Sequence, residues 1–268
     1  DQPRSRGLGD VYKRQVNTVE SANALILSGG SAYGLDAASG VMEALEEDGQ
    51  GLDVGVGIVP IVPQAVLFDL AYKDYMARPD SIMGKRAYKD ASFNENRQGI
   101  IGAGTGATVG KILGMENTMK SGLGSASISQ GDLVVSAIVA VNAFGDIYDY
   151  EKGIQLAGPR EDGKMVKTNE VMHKIMTDFS GLANQNTTIG IVATNARFDK
   201  TKLTKIAQMS HDGFARSINP VHTGFDGDTI FALSTNEIGA DLNMVGVMGA
   251  DAMSRAIANA IYSLGKEV

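Results

Sequence analysis

Cysteine is absent from this chain, so neither disulfide bonds nor thiolate metal sites can hold it together. Tryptophan is absent as well, and histidine occurs only as His173, His211 and His222. None of the three falls in an H-E-x-x-H or Cys/His pattern, which argues against a metal centre. Basic residues are outnumbered, 24 Lys and Arg against 31 Asp and Glu, for a net charge of −7 and a pI near 5.0. That balance disfavours nucleic acid as a partner, because neutralising phosphates takes clustered lysine and arginine. No apolar run reaches the roughly 18 residues of a membrane span. The first fifteen residues, "DQPRSRGLGDVYKRQ", are polar and basic without an apolar centre, so they are not a secretory signal. They read as an adapter-like segment outside the fold. Residues 16–268 are then expected to form one domain, and the absence of cysteine is compatible with a cytoplasmic protein.

What is present is a globular composition: 268 residues, 43% hydrophobic and 21% charged, with 33 glycines at the ends of apolar runs. "NALILSGG" reads as a short buried strand, and "SAYGLDAASGVMEALEEDG" as a helix stopped at Gly49. "QAVLFDLAY" fits either strand or helix. "DLVVSAIVAVNAFGDIYD" is rich in β-branched residues and predicts one long strand, with further strands at "TIGIVATN" and "TIFALST". "KLTKIAQMSHDGFARSI" and "GADAMSRAIANAIYSLGKE" predict helices, the second with Met253, Ile257, Ile261 and Leu264 on one face. Strands and helices come in groups, which favours a layered α+β fold over a doubly wound sheet. Residues 151–186 turn polar around a short helix, "EVMHKIMTDF", and read as a linker.

Several motifs fail on inspection. "SGGSAYG" lacks the G-x-G-x-x-G spacing of a dinucleotide site, and a tight strand-to-helix turn accounts for it. "GAGTGATVGKILG" departs twice from a phosphate loop, at Thr105 and Ile112. It leaves Lys111 presented from a glycine-rich turn, as a solvated lysine or as a functional one. "HTGFDGDT" places Asp226 and Asp228 around a glycine, either as an Asx-type turn or as paired acids at a strand edge. There is no G-x-S-x-G elbow and no cysteine nucleophile.

That leaves "ANQNTTIGIVATN", where a polar run ends at Asn186 and an apolar strand begins at once with Thr187 and Thr188. A threonine hydroxyl becomes a useful nucleophile when its own α-amine is the base, which requires it to be the first residue of a chain. A free α-amine titrates at about 7.7–8.0, and a neighbouring cation lowers that further. Cleavage at Asn186–Thr187 creates such a residue in place. An Asn-Thr junction at a strand start is also common and without function.

From about residue 16 onward the chain resembles the P1 family of self-processing peptidases, which includes the aminopeptidase/D-esterases and the nylon-oligomer hydrolases. The matching segments are "LSGGSAYGLDAASGV", "AVLFDL", "GAGTGATVGK", "VAVNAFG", "NTTIGIVATNA" and "HTGFDGDTIFALST". "NTT" at the junction is similar to the 6-aminohexanoate-oligomer hydrolases. The aminopeptidase branch uses a serine after glycine. The resemblance implies an αββα sandwich of the N-terminal-nucleophile-hydrolase type, made as one chain and self-cleaved into 16–186 and 187–268. It implies Thr187 as nucleophile, Lys111 tuning its amine, Asn142 as an oxyanion donor, and Asp226 and Asp228 orienting the threonine. Phe68 occupies a substrate-binding position where nylon-oligomer enzymes carry tyrosine. The family's first strands, which precede "NALILSGG", are missing. No cofactor and no metal are implied, and the processed heterodimers are expected to assemble as a homo-oligomer, a tetramer.

The expected function is self-processing hydrolysis of linear amides, with nylon oligomers among the candidate substrates. An aminopeptidase for short or β-amino-acid peptides is the nearest alternative. Acyl transfer to an amine and a non-catalytic small-molecule-binding role on the same scaffold stand behind it.

Overall fold

The computed structural model describes residues 19–93, 95–175 and 186–265. Strand β1 (Ile26–Ser28) runs into a 3-10 turn, Ser31–Asp36, and helix α1 (Ala37–Glu47); the hairpin β2 (Leu52–Asp53) and β3 (Ile58–Val59) leads to β4 (Gln64–Val66) and α2 (Ser81–Asp90). Short strands β5 (Thr108–Val109) and β6 (Met119–Lys120) precede the long antiparallel pair β7 (Leu123–Gln130) and β8 (Leu133–Ala140). Next come β9 (Asp146–Asp149), β10 (Ile154–Ala157), the hairpin β11 (Arg160–Glu161) and β12 (Lys164–Met165), and α3 (Thr168–Ile175). The last stretch holds β13 (Ile189–Ala196), α4 (Lys200–Ser217), β14 (Ile218–Asn219), β15 (Thr229–Ile238) and α5 (Leu242–Tyr262).

The principal sheet has the order β15-β13-β8-β7. Alternate residues of β8, Leu133, Val135, Ala137 and Val139, are buried, and with Val192 of β13 they join Ile206 and Phe214 of α4 and Met253 and Ile257 of α5 in one core. This is the period-2 alternation of a strand meeting the 3.6 period of a helix. On the other side of the sheet, Leu27, Ala65 and Leu67 pack with Ala140 and Ile189. β1 and β4 pair in parallel there, and α1 and α2 pack on each other. The result is the expected α+β layering. Asp199 and Asp241 cap α4 and α5 by accepting backbone N–H bonds from Lys202 and from Asn243 and Met244.

Several expectations change. The long strand predicted from Asp132 to Asp149 is two strands, broken over residues 141–145. The stretch read as a linker is built from β10, the β11–β12 hairpin and α3; β10 pairs with β9. Helix α5 begins at Leu242, ahead of the expected Gly249. Strand β7, "LGSASISQ", is not among the expected strands; Gly124, Ala126 and Ile128 turn to the core and Ser127 and Ser129 are exposed. A side chain at Gly124 would meet the Ala256 carbonyl at 2.0 Å, so glycine there is what lets α5 lie against the sheet. Residues 176–185, the end of the expected linker, and 1–18 lie outside the described residues. Among those described, no helix is long and apolar enough to cross a membrane.

Candidate active site

Sheet register assembles the site. Ile189 stands opposite Ala140 on one side and Thr229 on the other. Continuing both registers by two residues sets Thr187 between Asn142 and Gly227. The bonds agree: Thr187 N donates to the Asn142 carbonyl (3.0 Å), Gly227 N to the Asn186 carbonyl (3.1 Å) and Thr229 N to the Thr188 carbonyl (3.1 Å). Asn186 and Asp226 form a parallel bridge just beyond the strand ends.

Thr187 donates its hydroxyl hydrogen bond to the carbonyl of Asn186. The oxygen proposed as nucleophile therefore lies against the bond it would cut. The same carbonyl oxygen accepts the Gly227 N–H. A Cβ at Gly227 would stand 3.0 Å from Thr187 Oγ1, close enough that the threonine would have to give way. Asn186 and Thr188 are both buried. The Asn186 amide and the Thr188 hydroxyl make no hydrogen bond among the described residues.

The break at residues 141–145 is held by the glycine-lysine turn, where Lys111 N donates to the Phe144 carbonyl and Gly110 N to that of Gly145. Lys111 is 4% exposed, and its ammonium donates to Asn142 Oδ1 (2.8 Å) and to the Asn142 carbonyl (3.2 Å). That carbonyl is the one that receives Thr187 N. Burial pushes the Lys111 pKa down to about 7, against the opposing pull of Asp226 and Asp69. Asn142 Oδ1 also accepts Thr108 N (3.1 Å), and its Nδ2 donates to the Phe68 carbonyl (2.8 Å). Phe68 thus joins the site through its backbone.

The segment of residues 222–228 closes the other side. Asp226 accepts from Thr223 N (2.9 Å) and Thr223 Oγ1 (2.7 Å), a turn of the Asx kind. Burial first, then the charge of Asp228, raises its pKa. Asp228 Oδ1 accepts Thr188 N (2.8 Å), while Oδ2 lies 2.8 Å from His222 Nδ1. Phe225 packs on Phe144 at 5.5 Å, tying this loop to the break. Motif reasoning on the sequence misses three participants: His222, which opens "HTGFDGDT"; Gly227, between its two acids; and Asp69, next to Phe68. Asp69 accepts Gly30 N (2.7 Å), and burial raises its pKa.

Residues 4–265 match the model of peptidase family S58. The chain belongs to that family. An uncharacterized aminopeptidase of Mycobacterium leprae is 36% identical over 272 residues, covering 92% of this chain and 73% of its own length. A 6-aminohexanoate-oligomer endohydrolase of Kocuria sp. is 34% identical over 224 residues, covering 81% and 61%. Among solved structures, the L-aminopeptidase D-Ala-esterase/amidase of Ochrobactrum anthropi, described as a variant of the Ntn hydrolase fold, aligns with a TM-score of 0.58 at 18% identity. The β-aminopeptidase of Burkholderia sp. gives 0.58 at 20%. These two alignments each cover 85% of this chain, and 63% and 64% of the respective structures. This S58 member therefore has the Ntn-hydrolase fold and spans under two-thirds of the length of those two structures. Membership also assigns it to a class of hydrolases, as the resemblance implied.

Proposed function

We propose that the chain is a self-processing amide hydrolase whose nucleophile is Thr187, freed by cleavage of the Asn186–Thr187 bond. One observation carries this reading: the Asn186 carbonyl receives both the Thr187 hydroxyl and the Gly227 N–H. In the uncut chain Thr187 has no free amine, so another base must take the hydroxyl proton. Lys111, whose pKa burial lowers to about 7, is suited to it. Thr187 Oγ1 adds to the Asn186 carbonyl carbon, and the charge that develops on its oxygen faces the Gly227 N–H. Collapse breaks the C–N bond, the Thr187 nitrogen takes up a proton as the amine, and an Asn186 ester remains. Water hydrolyses that ester to a carboxylate and restores the hydroxyl.

After cleavage the Thr187 amine and Lys111 share the Asn142 carbonyl as neighbour. Lysine in its charged form lowers the amine's pKa and favours it as base for turnover. Asn142, Asp226 and Asp228 hold this arrangement. Substrate amides then follow the same path, through an acyl-threonine that water clears. Linear amides are the proposed substrates, with 6-aminohexanoate oligomers included by similarity to the Kocuria endohydrolase. Similarity to the mycobacterial aminopeptidase over most of both chains supports a second reading, removal of N-terminal residues from short peptides. A homo-oligomer is also proposed, on the family resemblance alone.

Intact mass and N-terminal sequencing of fresh protein, with Thr187→Ala alongside, test the proposal. Two fragments, the smaller starting at Thr187, are expected from the unsubstituted chain and one species from the variant. A single uncut species in both refutes it. Parallel assay of amine-blocked and free amides separates the two substrate readings, since an aminopeptidase ignores the blocked one.

A further inference from the structure

His222 stands outside the nucleophile, the lysine and the paired acids, yet its surroundings are as constrained as theirs. Its backbone is left-handed, at φ 55°. Its ring lies edge-on to His211 of α4 at 4.9 Å and over Phe214 at 6.0 Å. From that seat Nδ1 reaches Asp228 Oδ2 at 2.8 Å. The Asp228 side chain is 4% exposed and that of His222 39%, so the imidazole connects a buried carboxylate to the surface.

The second oxygen of Asp228 holds Thr188 N. Parallel pairing of β13 and β15 begins only at Ile189 and Thr229. Backbone bonds from Thr187 N to Asn142 and from Gly227 N to Asn186 carry the ladder further, and the Asp228 carboxylate adds a side-chain bond to it at the residue that follows the nucleophile. The other oxygen, Oδ2, is buried with no hydrogen bond among the described residues, and His222 Nδ1 is the cationic group that stands beside it. The groups facing His222 are Asp226 and Asp228 from its own segment, and His211, whose backbone also meets it, from α4. Asp212 acts on His211 in turn.

We propose that His222 is a positioning residue for Thr187, acting through Asp228 and the Thr188 backbone. The proposal rests on Thr187 being the nucleophile. At this distance a small turn of the ring lets Nδ1–H donate to Asp228 Oδ2, in the neutral as in the protonated imidazole, so the proposed tether survives titration. The hydrogen bond to Asp228, supported by its charge and that of Asp226, raises the His222 pKa, and the tether carries added charge attraction when the ring is protonated. Without a donor at this point, one oxygen of a buried carboxylate loses its partner. Asp228 is then free to turn, and the strand loses one of the bonds, beside those of Thr187 N and Gly227 N, that aim the Thr187 hydroxyl at the Asn186 carbonyl.

The test follows cleavage of the freshly synthesised full-length chain by intact mass, beside the melting temperature of each variant. His222→Asn accepts a left-handed backbone and carries an amide nitrogen near the place of Nδ1. His222→Gly accepts the same backbone and carries no donor. Cleavage within about threefold of the unsubstituted chain is expected for His222→Asn, and a slowing of about 10- to 100-fold for His222→Gly. His222→Asn as slow as His222→Gly, at a melting temperature equal to that of the unsubstituted chain, overturns the tether. So does His222→Gly cleaving at the unsubstituted rate. Should His222→Gly fail to fold, the rate of His222→Asn decides alone. Failure of the unsubstituted chain to cleave brings down the Thr187 reading, and the tether with it, a pattern distinct from slow cleavage in a variant only.

Discussion

Two lysines of the same glycine-rich region, Lys111 and Lys120, are withdrawn from solvent by the same fold and put to different uses. Lys120, in β6 opposite Thr108, donates to the carbonyls of Gly104 (2.9 Å), Ala107 (2.7 Å) and Ser121 (2.7 Å). An ammonium has three donors, and these acceptors use all of them. Lys120 is a cross-link for the loop, and its pKa, lowered by burial to about 8, is a by-product of its place. Lys111 is more deeply buried, and its ammonium bonds the side-chain amide and the carbonyl of Asn142, the residue opposite Thr187. Its pKa near 7 leaves it close to losing its proton, which is the property a base needs. The difference lies in what each ammonium faces.

Substitution should separate the two roles. Lys111→Met is expected to slow cleavage at Asn186–Thr187 by about 10²–10⁴-fold, the usual worth of a general base. Its fold should remain, as read by circular dichroism alongside a mass time course. Lys120→Met should do the reverse. Losing bonds from a charged donor and leaving carbonyls unpaired costs on the order of 3 kcal/mol, visible in urea denaturation. Folded molecules of that variant should cleave within about threefold of the unsubstituted rate.

A pH comparison sharpens the contrast. An unfolded lysine holds its proton to about 10.4. Folded Lys111 releases it at about 7, so between these values the unfolded chain binds more protons. Stability therefore rises with pH across that window, the penalty of a buried cation being full below 7 and gone above about 10. Urea midpoints at pH 6.5 and 9.5 should show a smaller rise in Lys111→Met than in the unsubstituted chain. Smallest of all should be the effect of Phe68→Leu. Phe68 meets Asn142 by its backbone carbonyl, which leucine retains, so cleavage should change by no more than about twofold. A larger loss would mean that the ring itself supports the site.

Residues with strong local signatures are legible in the chain alone. Met253, Ile257, Ile261 and Leu264 repeat at helical spacing; all four are buried, the first three within α5 and Leu264 just past its end. The β-branched runs of β8 and β13 are strands. β7 is hidden because its core-facing residues, Gly124, Ala126 and Ile128, are mostly small, although the close seat of α5 depends on Gly124. The break after Ala140 is equally hidden. "VNAFG" looks like more strand, and only the pairing of Gly110 and Lys111 with Phe144 and Gly145 turns it aside. Asp226 and Asp228 stand out in "DGD", but the glycine between them and the histidine ahead of them carry no signal of their own.

By itself the sequence determined the composition of each layer, the apolar faces of the principal helices, and a threonine at the start of a buried strand. These follow from local terms: apolar period and the stiffness of β-branched residues. Which residues surround that threonine was decided only in the tertiary structure. Register between β13, β8 and β15 brings Asn142 and Gly227 to either side of Thr187. A slip of one residue would turn every side chain of the strand to the other face. Register is fixed by the whole buried face of the sheet, and no short stretch contains that information.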